Sequence, residues 1–137
     1  MRFRRRTVVG LLSLAAISVP ISAHHSMNRE VDTNRRVVVT GVITKLDWAN
    51  PHVWIYLDGQ VAGKSDIGWG IESASPNGLQ TKGITAAALA VGTRVTVEGF
   101  PALNSNVRRV AGISLTLPDG KQLDIRDTWS VVGRLPR

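Results

Sequence analysis

The chain contains no cysteine. That absence excludes disulfides, thiolate metal centres and a cysteine nucleophile, so stability must come from the hydrophobic core alone. Aromatic residues are also scarce, with four Trp, two Phe and one Tyr among 137 residues. Histidine occurs three times and methionine twice. There is no Gly-x-Ser-x-Gly elbow and no phosphate-cradling glycine motif, so nothing points to an acyl-transfer enzyme or a nucleotide hydrolase. No internal repeat or low-complexity segment is visible.

Long apolar runs are missing too. The longest, from Val8 to Val19, falls short of the roughly 20 residues a membrane-spanning helix needs. It follows four arginines and leads into Pro20 and small residues ending at Ala23. Charged, apolar and small, in that order, is the layout of an export signal. Cleavage after Ala23 is expected, giving a periplasmic or secreted protein with no transmembrane span in its mature form. An uncleaved anchor is the alternative, and "RRTVV" loosely resembles a twin-arginine signal, which leaves the export route open.

This address changes the meaning of the charge. The whole chain carries a formal +7, but residues 1–23 hold four of the 17 basic residues and none of the 10 acidic ones. The remainder has 13 basic against 10 acidic residues, a net +3. Much of the basicity thus belongs to the discarded piece, and a nucleic-acid partner is not expected.

The rest of the chain is punctuated for β structure. "VVVTGVITKLDW" (37–48) is rich in β-branched residues and reads as a long first strand, with Gly41 as its bulge or bend. Asn50 and Pro51 make a turn. "HVWIYLD" (52–58) alternates as a second strand, with Val53, Ile55 and Leu57 facing one way and His52, Trp54, Tyr56 and Asp58 the other. "GQVAGKSD" (59–66) reads as a loop and "IGWGIES" (67–73) as a third strand. A Pro-Asn-Gly turn at 76–78 precedes a short helix capped by Thr85 and ended by Gly92. "TRVTVEGF" (93–100), "VRRVAGISLTL" (107–117) and, after a Pro-Asp-Gly turn, "KQLDI" (121–125) supply three more strands. The tail "TWSVVGRLPR" (128–137) is compatible with an added edge strand or with none.

Three strands, a helix, then two or three strands is the order of an OB-like Greek-key barrel, mainly β, with five to six strands and one short helix between the third and fourth. A six-stranded sandwich would give similar patterning. The expected organisation is a signal peptide at 1–23, a lead-in at 24–36, the barrel at 37–126 and a C-terminal tail at 127–137.

"AHHS" after a signal, "WANPHVWIYLD", "ESASPNGL", "VGTRVTVEGFPA" and "ISLTLPDGKQL" together resemble a family of small exported bacterial proteins known only as a domain of unknown function. The resemblance runs through the mature chain to about Leu123, with "NPH" and "SPN" its most distinctive marks. It implies an exported, mostly β domain and no established activity. The chain departs from the family in "TKGITAAALAVG", where an Arg- and Trp-bearing helix start is usual, and in its longer tail.

Every imidazole and thioether beyond the signal falls in two short stretches, "HHSM" and "NPHVW". His24, His25 and His52 are the candidate metal ligands, with Met27 as an optional soft one. Imidazole suits copper, zinc and nickel, and thioether adds a preference for Cu(I), so copper is the metal considered first. Cleavage after Ala23 would let the His24 amine and ring chelate an ion in the manner of a histidine brace. Cleavage one residue earlier would give Ala-His-His, a square-planar site favouring Cu(II) or Ni(II). Asn50 or an acidic group would orient the second nitrogen of His52. Against this stands the simpler reading, in which the terminal pair is solvated, His52 is a strand-end hydrogen-bonding group and Met27 packs.

Trp48, Trp54, Tyr56 and Trp69 fall on three adjacent strands, the surface on which OB-folds stack bases or sugars. They would serve an envelope protein or an oligosaccharide, although packing is the expected role for rings this scarce. Glu72, Asp47 and Asp58 are candidate carboxylates whose strand-end and loop positions suit structural roles better than acid–base chemistry. Asn77 belongs to a turn that, with Glu72 nearby, would shape a rim loop. The expectation is a ligand-binding protein rather than an enzyme, with copper or another divalent metal at the histidines, or alternatively an interaction module built on the tryptophans. Its partner is a small ligand or an envelope component.

Overall fold

The structure is a computed structural model that describes residues 31–61 and 64–127, together with the side chains of all of these except 64–67. The expected signal peptide, His24, His25, Met27 and the tail beyond Asp127 lie outside the described residues.

Among the described residues six strands form one sheet: β1 (Val37–Asp47), β2 (Trp54–Val61), β3 (Lys64–Glu72), β4 (Arg94–Pro101), β5 (Arg109–Thr116) and β6 (Gln122–Asp124). Their order is β3-β2-β1-β4-β5-β6, with neighbours antiparallel, and a parallel pairing of β3 with β5 closes the sheet on itself. The first five strands thus make a closed barrel, with β6 as an extra strand on β5. A helix, α1 (Pro76–Thr81), and a single 3-10 turn at Ala86–Leu89 link β3 to β4. This is the OB-like Greek key that the element order implies.

Period-two patterning drives closure. Val53, Ile55 and Leu57 are fully buried while Trp54, Tyr56 and Asp58 are turned outward, and Val95 and Val97 of β4 repeat the pattern. With Val39, Ile43, Ile71, Val110 and Leu115 they form one buried cluster, which Leu79 of α1 and Leu89 of the 3-10 turn join. Each such side chain stabilises the fold by roughly 1.5–3 kcal/mol on burial.

Three local expectations are corrected by the structure. The stretch 59–66 is not a loop: β2 runs to Val61 and β3 starts at Lys64, with Gly59 facing Asp66 in the ladder. Glycine and lysine suggested a connection, but strand pairing already satisfies these backbone groups. The helix forms earlier than expected, at Pro76–Thr81, because Ser75 accepts a hydrogen bond from the Gly78 N–H and Pro76 suits the first helical turn. Thr85 makes no side-chain cap and precedes only the 3-10 turn. The irregularity of β1 falls between Ile43 and Lys45, not at Gly41. Gly41 instead allows close approach. It faces Gly59 across the ladder, and a Cβ on either would collide with the opposite backbone.

Candidate functional site

Four ionisable side chains from four segments meet at one end of the barrel. His52 lies in the β1–β2 connection two residues before β2, just after a cis Asn50–Pro51 bond. Glu72 ends β3, Arg109 opens β5, and Asp127 follows β6.

The pairing registers bring them together. Trp54 faces Glu72 in the β2–β3 ladder, and the pairing continues past both strand ends through Val53 N–H to Ala74 O at 3.0 Å and Ser73 N–H to Val53 O at 3.0 Å. His52 is thereby set beside Glu72. The parallel register puts Gly70 beside Arg109 and Glu72 beside Ala111, so the guanidinium lies on the other side of the same carboxylate. Asp127 arrives on a strap that follows β6: Ile125 is fully buried, its N–H donates to Ile113 O at 3.1 Å, and its carbonyl accepts from Ala74 N–H at 2.9 Å.

The contacts form a chain. His52 Nδ1 is 2.6 Å from Glu72 Oε1 and His52 Nε2 is 3.0 Å from Asp127 Oδ2. Glu72 Oε2 accepts from Arg109 Nε at 3.0 Å and also from a terminal guanidinium nitrogen. The guanidinium lies 5.4 Å from the ring centre of Trp54, whose ring is stacked with Tyr56 at 6.4 Å. The Glu72 side chain is only 6% exposed, against 26% for His52. A carboxylate this deep is tolerable because two partners hold it.

The hydrogen-bond inventory constrains the proton count. A neutral imidazole offers one N–H and one lone pair, and an ionised carboxylate only accepts. With a carboxylate oxygen at each ring nitrogen, both bonds form only if the Glu72–His52–Asp127 group carries one proton more than a neutral ring and two carboxylates. A cation at Nε2 could take the place of that proton.

The strap has its own charge cluster. Arg126 donates to Asp124 through Nε at 3.0 Å and a terminal nitrogen at 2.8 Å, and Lys82 donates to Arg126 O at 2.8 Å and sits 3.5 Å from Asp124. The Arg126 hydrogen bond holds the Asp124 carboxyl well below the ordinary carboxylate range, and Asp124 in turn raises Arg126. Between α1 and the strap lies a small cleft of about 130 Å³, with Ser75, Thr81, Lys82, Arg126 and Asp127 among its lining.

Of the candidate site residues, the structure brings His52 and Glu72 into contact. Asn50 and Asn77 are exposed, Asn77 within α1. Trp48 and Trp69 are half-buried and lean on the barrel core, while Trp54 lies on the outer face with Tyr56. The buried Trp69 indole N–H finds no acceptor among the described residues. Asp47 pairs with Lys45 at 2.8 Å, and Asp58 accepts from Gly68 N–H at 2.8 Å. Among the described residues no group of three or more His, Asp or Glu side chains is arranged to hold a metal ion, and no helix is long and apolar enough to cross a membrane. Sequence reasoning missed Arg109 and Asp127. Alternation turns Arg109 outward but does not say that β3 is its neighbour, and Asp127 carries no local signal.

Residues 11–111 match the model of a family of unknown function (DUF6152). No curated protein and no solved structure matches the chain.

Proposed function

We propose that the chain, which belongs to this family of unknown function, is an exported, non-enzymatic barrel protein that binds copper or another divalent metal through His52 and the N-terminal histidines His24 and His25. The observation that carries this reading is the contact between His52 Nδ1 and the buried Glu72 carboxylate at 2.6 Å. Metal-binding histidines characteristically give their second nitrogen to a carboxylate, which sets the ring orientation and raises its basicity. Here Glu72 leaves Nε2 directed at the side where Asp127 and the strap lie.

Reach supports the partnership with the N-terminus. Val31 bridges to Ala102, whose N–H bonds Arg109 O at 2.9 Å, and Arg109 contacts Glu72. The lead-in is therefore tied two strands from the site. His24 stands seven positions before Val31, enough for an extended chain to span roughly 25 Å.

The test is titration of the exported chain, its N-terminus read by mass spectrometry, with Cu(II), Cu(I) and Zn(II). Affinity should fall by at least tenfold in His52→Ala and in His24→Ala. Equal affinity in the double variant overturns the reading.

A second reading, contact with an envelope protein or oligosaccharide, draws support from the row Lys45, Tyr56, Trp54 and Arg109 on the outer face. Arg36, Lys45 and Arg109 each pair with a carboxylate, so this face offers rings rather than net charge. Quenching of indole fluorescence by oligosaccharides, lost in Trp54→Ala, would support it over the metal.

A further inference from the structure

We propose that a row of positions running straight across β1, β2, β3 and β5 is a binding track for a neutral, extended oligosaccharide of about three sugar units, the length that four strand positions span. This rests on the second reading above, to which it adds the direction and length of the site, the charge of its ligand and the part played by Gly70.

Register builds the track. Lys45 of β1 faces Tyr56 of β2, Tyr56 faces Gly70 of β3, and Gly70 faces Arg109 of β5 across the parallel seam. Neighbouring strands lie about 4.7–4.9 Å apart, so the three steps from Lys45 to Arg109 cover roughly 14 Å. Gly70 contributes no side chain, and Trp54 fills its place from the diagonal position on β2. A Cβ built on Gly70 would meet atoms of the Trp54 ring at 3.5 and 3.6 Å. The indole therefore lies against the backbone of β3, and Gly70 itself is buried.

The row is aromatic, and its charges are matched. Trp54 and Tyr56 have planes within 21° of each other and centres 6.4 Å apart. Carbon atoms in contact lie only about 3.5–4.0 Å apart, so the two rings are not laid face on face and keep apolar surface for a ligand. Lys45 stands 5.0 Å from the Tyr56 ring centre and Arg109 5.4 Å from that of Trp54. Each cation has its carboxylate, with Asp47 2.8 Å from Lys45 and Glu72 against Arg109. Donors and acceptors thus bracket the rings at both ends, which is the hydrogen-bonding complement of sugar hydroxyls.

Size and charge select the occupant. Trp and Tyr bury roughly 150–250 Å² each when fully covered, and these two are already half-buried, whereas a stable protein partner needs about 800 Å² on each side. The next outward residues of β2, Asp58 and Gln60, add no apolar area. A single nucleic-acid strand also stacks on aromatic rings, but its phosphates call for net positive charge, and both cations of this row are paired. A chain of equatorially linked neutral sugars stays extended and turns flat faces of C–H groups towards an aromatic ring. That shape fits a straight row of this length.

The experiment titrates the full-length chain by calorimetry with β-1,4-linked glucose and N-acetylglucosamine oligomers of one to six units, and compares Trp54→Ala, Gly70→Val and Gly70→Ala, with urea midpoints verifying the fold. Affinity should rise at least tenfold from one unit to three and then level, and it should be insensitive to salt. Gly70→Val, whose added methyl groups displace the indole, should weaken trisaccharide binding as much as Trp54→Ala does, roughly tenfold. Gly70→Ala, whose Cβ makes only ordinary contact with the ring, should bind like wild type. Trisaccharide binding that is lost in Trp54→Ala but unchanged in folded Gly70→Val overturns the track and leaves the oligosaccharide reading standing. So does a trisaccharide that binds wild type no tighter than a single sugar, a result that decides the matter even if Gly70→Val fails to fold. Tighter binding of a thymidine hexanucleotide than of any sugar overturns the track in favour of nucleic acid. Absence of binding by every oligomer removes both the inference and the reading beneath it.

Discussion

Glu72 and Arg109, 37 residues apart in the chain, form an ion pair across the seam where β3 runs parallel to β5. The seam is short, with three paired positions. A charge-assisted bond from Arg109 Nε at 3.0 Å, joined by a second guanidinium nitrogen, therefore reinforces the shortest line of backbone pairing in the barrel. The same carboxylate orients His52, which makes barrel closure and the candidate site depend on one side chain.

Removing one partner should expose that dependence. Arg109→Ala leaves Glu72 buried with His52 as its remaining side-chain partner among the described contacts and should cost about 3–5 kcal/mol in urea denaturation. The double variant Glu72→Gln with Arg109→Met removes both charges and should recover most of the loss, because the desolvation penalty goes with the pair. A double variant as unstable as the single one would mean that geometry, not charge balance, holds the seam.

Helix capping separates two residues that look alike in sequence. Ser75 accepts from the Gly78 N–H at 3.2 Å, whereas Thr85 makes no cap. Ser75→Ala should destabilise by about 1 kcal/mol, and Thr85→Ala should stay within about 0.5 kcal/mol of wild type, as exposed substitutions do. Thermal melts of the two variants decide the matter.

Gly59 should tolerate no side chain. Its missing Cβ would collide with the backbone of Thr40 and Gly41, which cannot move without parting β1 from β2. Gly59→Ala is expected to cost about 3 kcal/mol or to prevent folding, at the upper end of overpacking effects. Gly120→Ala meets no neighbour and has only its positive φ of 83° to strain it, so it should cost about 1 kcal/mol.

Which parts of this were legible in the sequence follows from which forces are local. Alternation in Val53–Asp58 and Arg94–Phe100 announces strands because a half-buried sheet demands it, and the order of elements then implies the OB-like barrel. The helix lies earlier than expected because Thr85 and the alanines that follow match helix propensity, while Ser75 and Pro76 form the cap and first turn of a helix start that the Pro-Asn-Gly turn signal masks. His52 and Glu72 could be named as candidates by residue type. Arg109 and Asp127 could not, since their contacts depend on the β3–β5 seam and on the course of the strap after β6, both set by long-range pairing.

The strap that carries Asp127 should also respond to acid. Asp124 is held by Arg126 and lies 3.5 Å from Lys82, and its carboxyl titrates below the ordinary range in the folded chain. A depressed folded value means that the unfolded chain takes up the proton first as pH falls. The stabilisation is therefore complete above the ordinary carboxylate value of about 3.9 and is lost progressively as pH drops towards the folded one. Because Asp124 is 44% exposed, solvent screening limits the effect, and Asp124→Asn should cost only about 0.5 kcal/mol at pH 7. Urea midpoints measured at pH 7, 5 and 3 should show a steady gap between wild type and variant at the two higher values and a narrowing gap at the lowest. A gap that persists unchanged at pH 3 would assign the difference to the amide substitution itself and not to the ion pair with Arg126.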